Sequence, residues 1–268
     1  MTYQKRNLST SSLLHSFEIQ LRVIKALYMR ELITHFGRHN LGFIWMFLEP
    51  MMFAGGITIL WSMSGHNFHG LPVAGFALTG YSSIVAWRNC VGRTSNAVQA
   101  NSGLLYHRNV TIFDLALTRG IFEFSAVTVS LTTLTLLFWA LGLMKLPTDP
   151  LLAICAWLLL GWFFISFAFI ALYLKHKSEL FDRIWHVAMY LTLPLTGSFF
   201  MLSWMPKSSW DFLLLSPMLN GVEMLREGYF GSDVKAHYSL GYVISVNSAL
   251  TIISLCLLHK VKKTLSAE

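Results

Sequence analysis

The chain has 268 residues and a net charge of +7, with 12% charged and 54% apolar side chains. Soluble globular proteins carry roughly twice that charged share, and several uncharged runs here exceed the roughly 18 residues that mark a membrane-span candidate. A water-soluble domain is therefore excluded, and the expected fold class is a single all-α polytopic membrane domain spanning residues 1–268.

Residues 1–20 contain no apolar stretch of signal-peptide type, so the N-terminus is not read as cleavable. Leu14, Phe17, Leu21, Ile24, Tyr28, Leu32 and Phe36 recur every three or four residues. That spacing predicts an amphipathic helix over 14–37 lying in the membrane interface, with Arg22 and Arg30 off the apolar stripe and Lys25 intruding on it. The first span is expected at 41–63 and the second at 71–92. Gly75 and Gly80 in the second would let neighbouring helices approach closely. Residues 94–110 form a polar interruption with an apolar knob, Leu104, Leu105 and Tyr106. Further spans are expected at 112–143, at 151–174 (which holds no charge), at 184–205 with Pro194 and Gly197 near its middle, and at 238–258. The 206–237 segment is too long for a turn and too apolar for a free loop. It reads as a re-entrant hairpin of two short helices, 210–219 and 222–229, broken at Pro217 and Gly221. Trp204, Trp210, Tyr229, Phe230 and Tyr238 suit an outer aromatic belt.

Orientation follows from the basic residues. With both termini cytoplasmic, sixteen of the twenty Lys and Arg fall inside and four outside, as the positive-inside rule requires of six spans.

The chemistry-bearing motifs are sparse. There is no Walker A motif, no His-Glu-x-x-His and no Gly-x-Ser-x-Gly, so any ATP-driven work needs a separate motor. Cys90, Cys155 and Cys256 stand apart, without disulfide or zinc spacing, and read as small core filler. The His35/His39 and His66/His69 pairs lack the further ligands a metal site needs, so no metal is expected. Glu49 lies about 12 Å into the first span at 1.5 Å per residue. It is either functional or the partner of Arg88 or Arg93, and in neither case should it face lipid. Arg30, His35, Arg38 and His39 cluster at the inner end. They are either flanking charge for anionic lipid or, with Arg88 and Arg93, a basic mouth for an acidic substrate. Glu223 and Arg226 are three apart and are expected to pair along a short helix.

Three stretches carry a family resemblance. Arg30-Glu31-Leu32 and Phe36-Gly37-Arg38 are followed by Leu41-Gly42-Phe43-Ile44-Trp45 and Glu49-Pro50. Asn101-Ser102-Gly103-Leu104-Leu105 comes next, with Val110 and 114–119. Ser216-Pro217-Met218-Leu219 follows, with Glu223, Arg226 and Tyr229-Phe230-Gly231. Together they resemble, over nearly the whole chain, the capsular polysaccharide export permeases of type-2 ABC transporters (KpsM-like proteins). Ser216 and Asn220 depart from that pattern.

The resemblance implies a homodimer in the bacterial inner membrane, paired with two ATP-binding cassette subunits that hold the ATP and Mg. This chain itself would bind no cofactor. It implies export of an acidic, lipid-anchored polysaccharide, handed to a periplasmic adaptor and an outer-membrane exporter; no nucleic-acid partner is expected. The substrate path would use Arg30, Arg38, Trp45, Glu49, Arg88 and Arg93. Coupling to the ATPase would use Asn101, Leu104, Leu105, Tyr106, His107 and Arg108. The outer hairpin would use Pro217, Glu223, Arg226, Tyr229 and Phe230. Two alternatives stay open: a type-2 permease for another cargo (teichoic acid, O-antigen or a drug), and a membrane-embedded transferase.

Overall fold

A computed structural model describes residues 10–36, 41–63, 70–101, 103, 110–178 and 180–265. Among these every regular element is helical. In chain order they are α1 (Thr10–Phe36), α2 (Leu41–Met63), α3 (Val73–Thr94), α4 (Ala97–Ala100), α5 (Ile112–Ala140), α6 (Pro150–Lys177), α7 (Leu180–Leu191), α8 (Trp210–Leu214), α9 (Pro217–Phe230) and α10 (Leu240–Leu265). Short 3₁₀ turns fill the stretch between α7 and α8. Three helices are long and apolar enough to cross a membrane among the described residues: α5, α6 and the 240–261 part of α10.

The helix starts are written locally. Thr111 caps α5 by accepting from the Asp114 N–H, and the Asp114 carboxylate accepts the Thr111 N–H in return, a reciprocal capping box. Asp149 caps α6 ahead of Pro150, where a missing N–H costs nothing. Ser216 and Pro217 start α9 in the same way.

α3 is the central post. Its residues are buried almost throughout, against α2, α5, α6 and α9, in line with its small side chains. By contrast Leu151, Ile154, Leu158 and Trp162 form an exposed stripe on α6, and Ile244, Ile252, Ile253 and Leu255 remain exposed on α10. Apolar side chains facing outward at helical spacing are what a lipid-bathed bundle presents. The inner cluster is aromatic: Trp87 stacks on Phe163 at 5.3 Å and lies within 6 Å of Phe164, Phe167 and Trp185.

Several expectations change. The helix expected over 184–205 ends at Leu191, because Pro194 sits in a 3₁₀ turn and Gly197 adopts a left-handed φ of 70°. At 1.5 Å per residue α7 is about 18 Å long, short of a roughly 30 Å hydrocarbon layer. In the hairpin, α9 runs unbroken through Gly221. This glycine serves packing rather than a break, since a Cβ there would lie 2.5 Å from Leu160 Cδ2. Tyr229 and Phe230 are buried against α5 and α3 instead of joining an outer belt. Cys155 and Cys256 are exposed, so of the three cysteines only Cys90 fills the core. The apolar stripe of α1 divides: Ile24 and Tyr28 are half-buried while Phe17 and Leu21 stay exposed.

Candidate functional site

Two clusters of polar side chains sit inside this otherwise apolar bundle. One lies where α1, α3 and α5 meet near α4. Arg119 and Glu123 are one turn apart on α5 and pair at 2.8 Å, the spacing that places two side chains on one helix face. Glu123 is 2% exposed and also meets Arg93 of α3 at 3.4 Å. Arg119 reaches back to Glu31 of α1, and Glu31 pairs with Arg30 at 2.8 Å. The Arg30 guanidinium then donates to Asn101 at the end of α4. Alongside, Gln20 of α1 donates to the Asp114 carboxylate at 3.1 Å, and the Tyr28 and Ser125 hydroxyls meet at 2.8 Å.

The result is a chain of three arginines and two carboxylates joining α1, α3, α4 and α5. Isolated buried carboxylates are costly, and truncating one partner of a buried pair commonly costs about 3–5 kcal/mol. Here each carboxylate is shared between two guanidiniums. The exposed share of the Arg30 and Arg93 side chains is 37% and 44%, so neither side chain is sealed inside the bundle.

A separate pairing joins α2 and α3. Glu49, one residue before Pro50 inside α2, pairs with Arg88 of α3 and accepts from the Tyr81 hydroxyl at 3.1 Å. Of the two partners considered for Glu49, Arg88 takes the position; Arg93 belongs to Glu123. Phe53 stacks on Tyr81 at 3.9 Å and fixes the phenol beside the carboxylate. Trp45, one of the expected path residues, points outward and is 57% exposed.

The other polar cluster is on α9. Glu223 and Arg226 do not pair: among the described residues no ion pair within 4 Å joins them. Glu223 instead accepts the backbone N–H groups of Leu202 and His237 at 2.8 and 3.0 Å. Arg226 is fully buried. It donates to the carbonyls of Gly197 and Phe200 at 2.6 and 2.7 Å and to that of Ser198, and it lies 3.6 Å from the Phe76 ring centroid. Both side chains thus serve irregular backbone: Arg226 serves the stretch after α7, and Glu223 serves Leu202 of that stretch and His237 just ahead of α10. Two backbone bonds from the α5–α6 turn, Thr148 N to Tyr229 O at 3.3 Å and Asp149 N to Gly228 O at 2.9 Å, anchor the end of α9.

Arg38, Leu104, Leu105, Tyr106, His107 and Arg108 lie outside the described residues, as do His39, His66 and His69. No group of three metal-ligating side chains occurs among the described residues. Sequence reasoning passed over Glu31, Tyr81, Arg119 and Glu123 as members of a site. Only the Arg119–Glu123 spacing was a local signal; Tyr81 and Glu31 owe their roles to residues 32 and 88 positions away.

No family model matches the sequence. The chain is 35% identical over 257 residues to the capsule polysaccharide export inner-membrane protein CtrC of Neisseria meningitidis serogroup B, covering 96% of this chain and 97% of that protein. It is 32% identical over 254 residues to the capsule polysaccharide export inner-membrane protein BexB of Haemophilus influenzae, covering 94% and 96%. Against the polysialic acid transport protein KpsM of Escherichia coli the identity is 28% over 250 residues, covering 90% and 94%.

Proposed function

The chain belongs to the family of capsule polysaccharide export inner-membrane proteins, and from that premise we propose how it works as the permease of an ATP-driven exporter. It is a transporter subunit for capsule polysaccharide in the inner membrane. The finer reading is a homodimer of six-span subunits with both termini cytoplasmic. Two separate ATPase subunits, which hold the ATP and Mg, dock on the 94–110 segment.

One observation carries this reading: Arg30 bridges Glu31 of α1 and Asn101 at the end of α4. Through Arg119 and Glu123 the same chain of charges reaches the core of the bundle. A motor pushing on the 94–110 segment would therefore move α1, α3 and α5 together instead of bending a loop. The part-exposed side chains of Arg30, Arg88 and Arg93 support a basic mouth for an acidic, lipid-anchored chain. Arg presents a fork of N–H donors suited to carboxylate and phosphate. The buried α9 and its tie to the α5–α6 turn support a hairpin entering from the outer side. From there the cargo would pass to a periplasmic adaptor and an outer-membrane exporter.

The test is purification from native membranes. An ATPase subunit should co-purify in equal number with this chain, and the Leu105→Asp, Tyr106→Asp double variant should insert normally yet lose it. Wild-type co-purification of the ATPase with that variant would remove the 94–110 segment as the docking site.

A further inference from the structure

We propose that the end of the bundle where the α5–α6 turn meets α9 holds one zwitterionic phospholipid, its headgroup in a cavity and an acyl chain in a groove beside it. The head compartment is a cavity of about 740 Å³ whose walls include Trp139, Lys145, Leu146, Tyr229 and Asp233. The groove, of about 320 Å³, runs between α5 and α6 past Phe124, Leu136, Ile154 and Trp157. Leu146 and Tyr229 belong to both walls, so the two compartments adjoin. This site needs only a chain embedded in a membrane and is independent of the cargo.

Each compartment matches one half of an amphiphile. Lys145 and Asp233 put a cation and a carboxylate in the same cavity, and among the described residues neither is in an ion pair. A phosphoethanolamine headgroup carries the complementary charges, a phosphate for Lys145 and a primary ammonium for Asp233. The ammonium donates and the carboxylate accepts, and bonds between ionised partners are the stronger ones. An anionic phospholipid has no cation to offer and would leave Asp233 facing like charge. Trp139 is exposed at the end of α5, an aromatic of the kind found at headgroup depth. In the groove the polar atoms are already engaged. The Thr128 and Thr132 hydroxyls donate to the Phe124 and Thr128 carbonyls, and Thr128 Oγ1 accepts the Trp157 indole N–H at 2.8 Å. What remains for a ligand there is apolar contact. From Phe124 to Leu136 the groove follows about 18 Å of α5 at 1.5 Å per residue, the reach of a long acyl chain. Leu136, Ile154 and Leu158 are exposed along it and open it to the bilayer.

The site is held in shape before any ligand arrives. Gly142, with a φ of 72°, turns the chain back over the end of α5, and the Leu143 N–H bonds to the Phe138 carbonyl at 2.9 Å. Tyr229, at the junction of the two compartments, is fixed at both ends. Its hydroxyl meets that of Thr135 at 3.0 Å, and its carbonyl accepts the Thr148 N–H at 3.3 Å. A preformed concavity with a few placed polar groups is the usual form of a ligand site, and it loses little freedom on binding.

Full-length chain, delipidated in a mild detergent, would be titrated with dioleoyl phosphatidylethanolamine, phosphatidylglycerol or phosphatidylcholine, reading the one-lipid adduct by native mass spectrometry. Phosphatidylethanolamine should form that adduct at about 10-fold lower concentration than either other lipid, the discrimination of one charge-assisted bond. Lys145→Gln and Asp233→Asn should each weaken it about 5-fold, the upper end for an ion pair open to water. Ile154→Trp, which enlarges an exposed residue of the groove, should weaken all three lipids alike. Lys207→Gln, at an exposed lysine that lines neither compartment, should change nothing. Lys145 and Asp233 are exposed, so these variants should melt with the wild type in the absence of lipid. Absence of a one-lipid adduct, equal or tighter binding of phosphatidylglycerol or phosphatidylcholine, or unchanged affinity in both charge variants overturns the proposal. Unchanged affinity in Ile154→Trp, or equal weakening by Lys207→Gln, overturns it too.

Discussion

Gly80→Ala tests the packing on which the α9 cluster depends. A Cβ at residue 80 would lie 2.2 Å from the Ser198 carbonyl oxygen and 2.9 Å from Arg226 Nη2. Carbon–oxygen contacts settle at roughly 3.3 Å, so one backbone must retreat by about 1 Å. Neither neighbour is the loose end of a flexible chain: Ser198 belongs to the turn held by Arg226, and Arg226 is fully buried. Overpacking of this kind costs about 1–3 kcal/mol. Displacing Ser198 also strips one bond from a buried guanidinium, and bonds to charged groups contribute about 1.5–3 kcal/mol each. The combined loss is about 3–5 kcal/mol, which for a chain of this size corresponds to a fall in Tm on the order of 10 °C. The assay is thermal unfolding of the purified chain in nanodiscs, followed by the intensity of its size-exclusion peak. Gly92→Ala on the same helix is the control, since nothing lies within 4 Å of the added methyl, and it should shift Tm by less than about 2 °C. If Gly80→Ala melts with the wild type and still exports capsule, α3 and the stretch after α7 are not packed in this way.

Two other experiments probe the remaining features. Glu123→Gln should destabilise the chain by about 3 kcal/mol, because Arg93 and Arg119 lose their shared buried carboxylate. Adding Arg93→Gln should recover at least about 1 kcal/mol in the same melt, whereas strict additivity would deny their coupling. In a background lacking the three native cysteines, Ser208→Cys should react with an impermeant maleimide from the outside of spheroplasts, while Leu225→Cys, buried in α9, should not. Labelling of Ser208→Cys only from the cytoplasmic side would invert the proposed topology.

The fold was most legible where one local property sufficed. α6 follows from 24 consecutive residues without a charge, and the close packing of α3 follows from its glycines and small side chains. α5 begins at a Thr111–Asp114 spacing that sequence alone displays. Long-range pairing was less legible. Arg30 and Asn101 are 71 residues apart, and nothing in either neighbourhood points to the other. Glu49 was recognisable as a residue needing a cation, but choosing Arg88 over Arg93 required knowing which turn of α3 faces α2. Hydropathy also misled at the helix after α6. Residues 184–205 are apolar enough to read as one span, and apolarity does not reveal whether backbone bonds continue past Pro194.

The Glu223–Arg226 spacing misled for a deeper reason. Three residues apart on a helix is the geometry of an ion pair, and on a water-exposed helix the two would compete only with solvent. Inside a bundle the competing partners are backbone groups released by a broken helix, and each unsatisfied one would cost several kcal/mol away from water. Ending α7 at Leu191 frees carbonyls through 197–200, and a guanidinium is the side chain with enough donors to serve several at once. Arg226 takes the Gly197, Ser198 and Phe200 carbonyls, while Glu223 takes the complementary N–H groups of Leu202 and His237. The break after α7 and the charges on α9 therefore make each other tolerable. A sequence that kept an unbroken fifth helix would have no use for a buried arginine there, and one without the arginine could not keep the break.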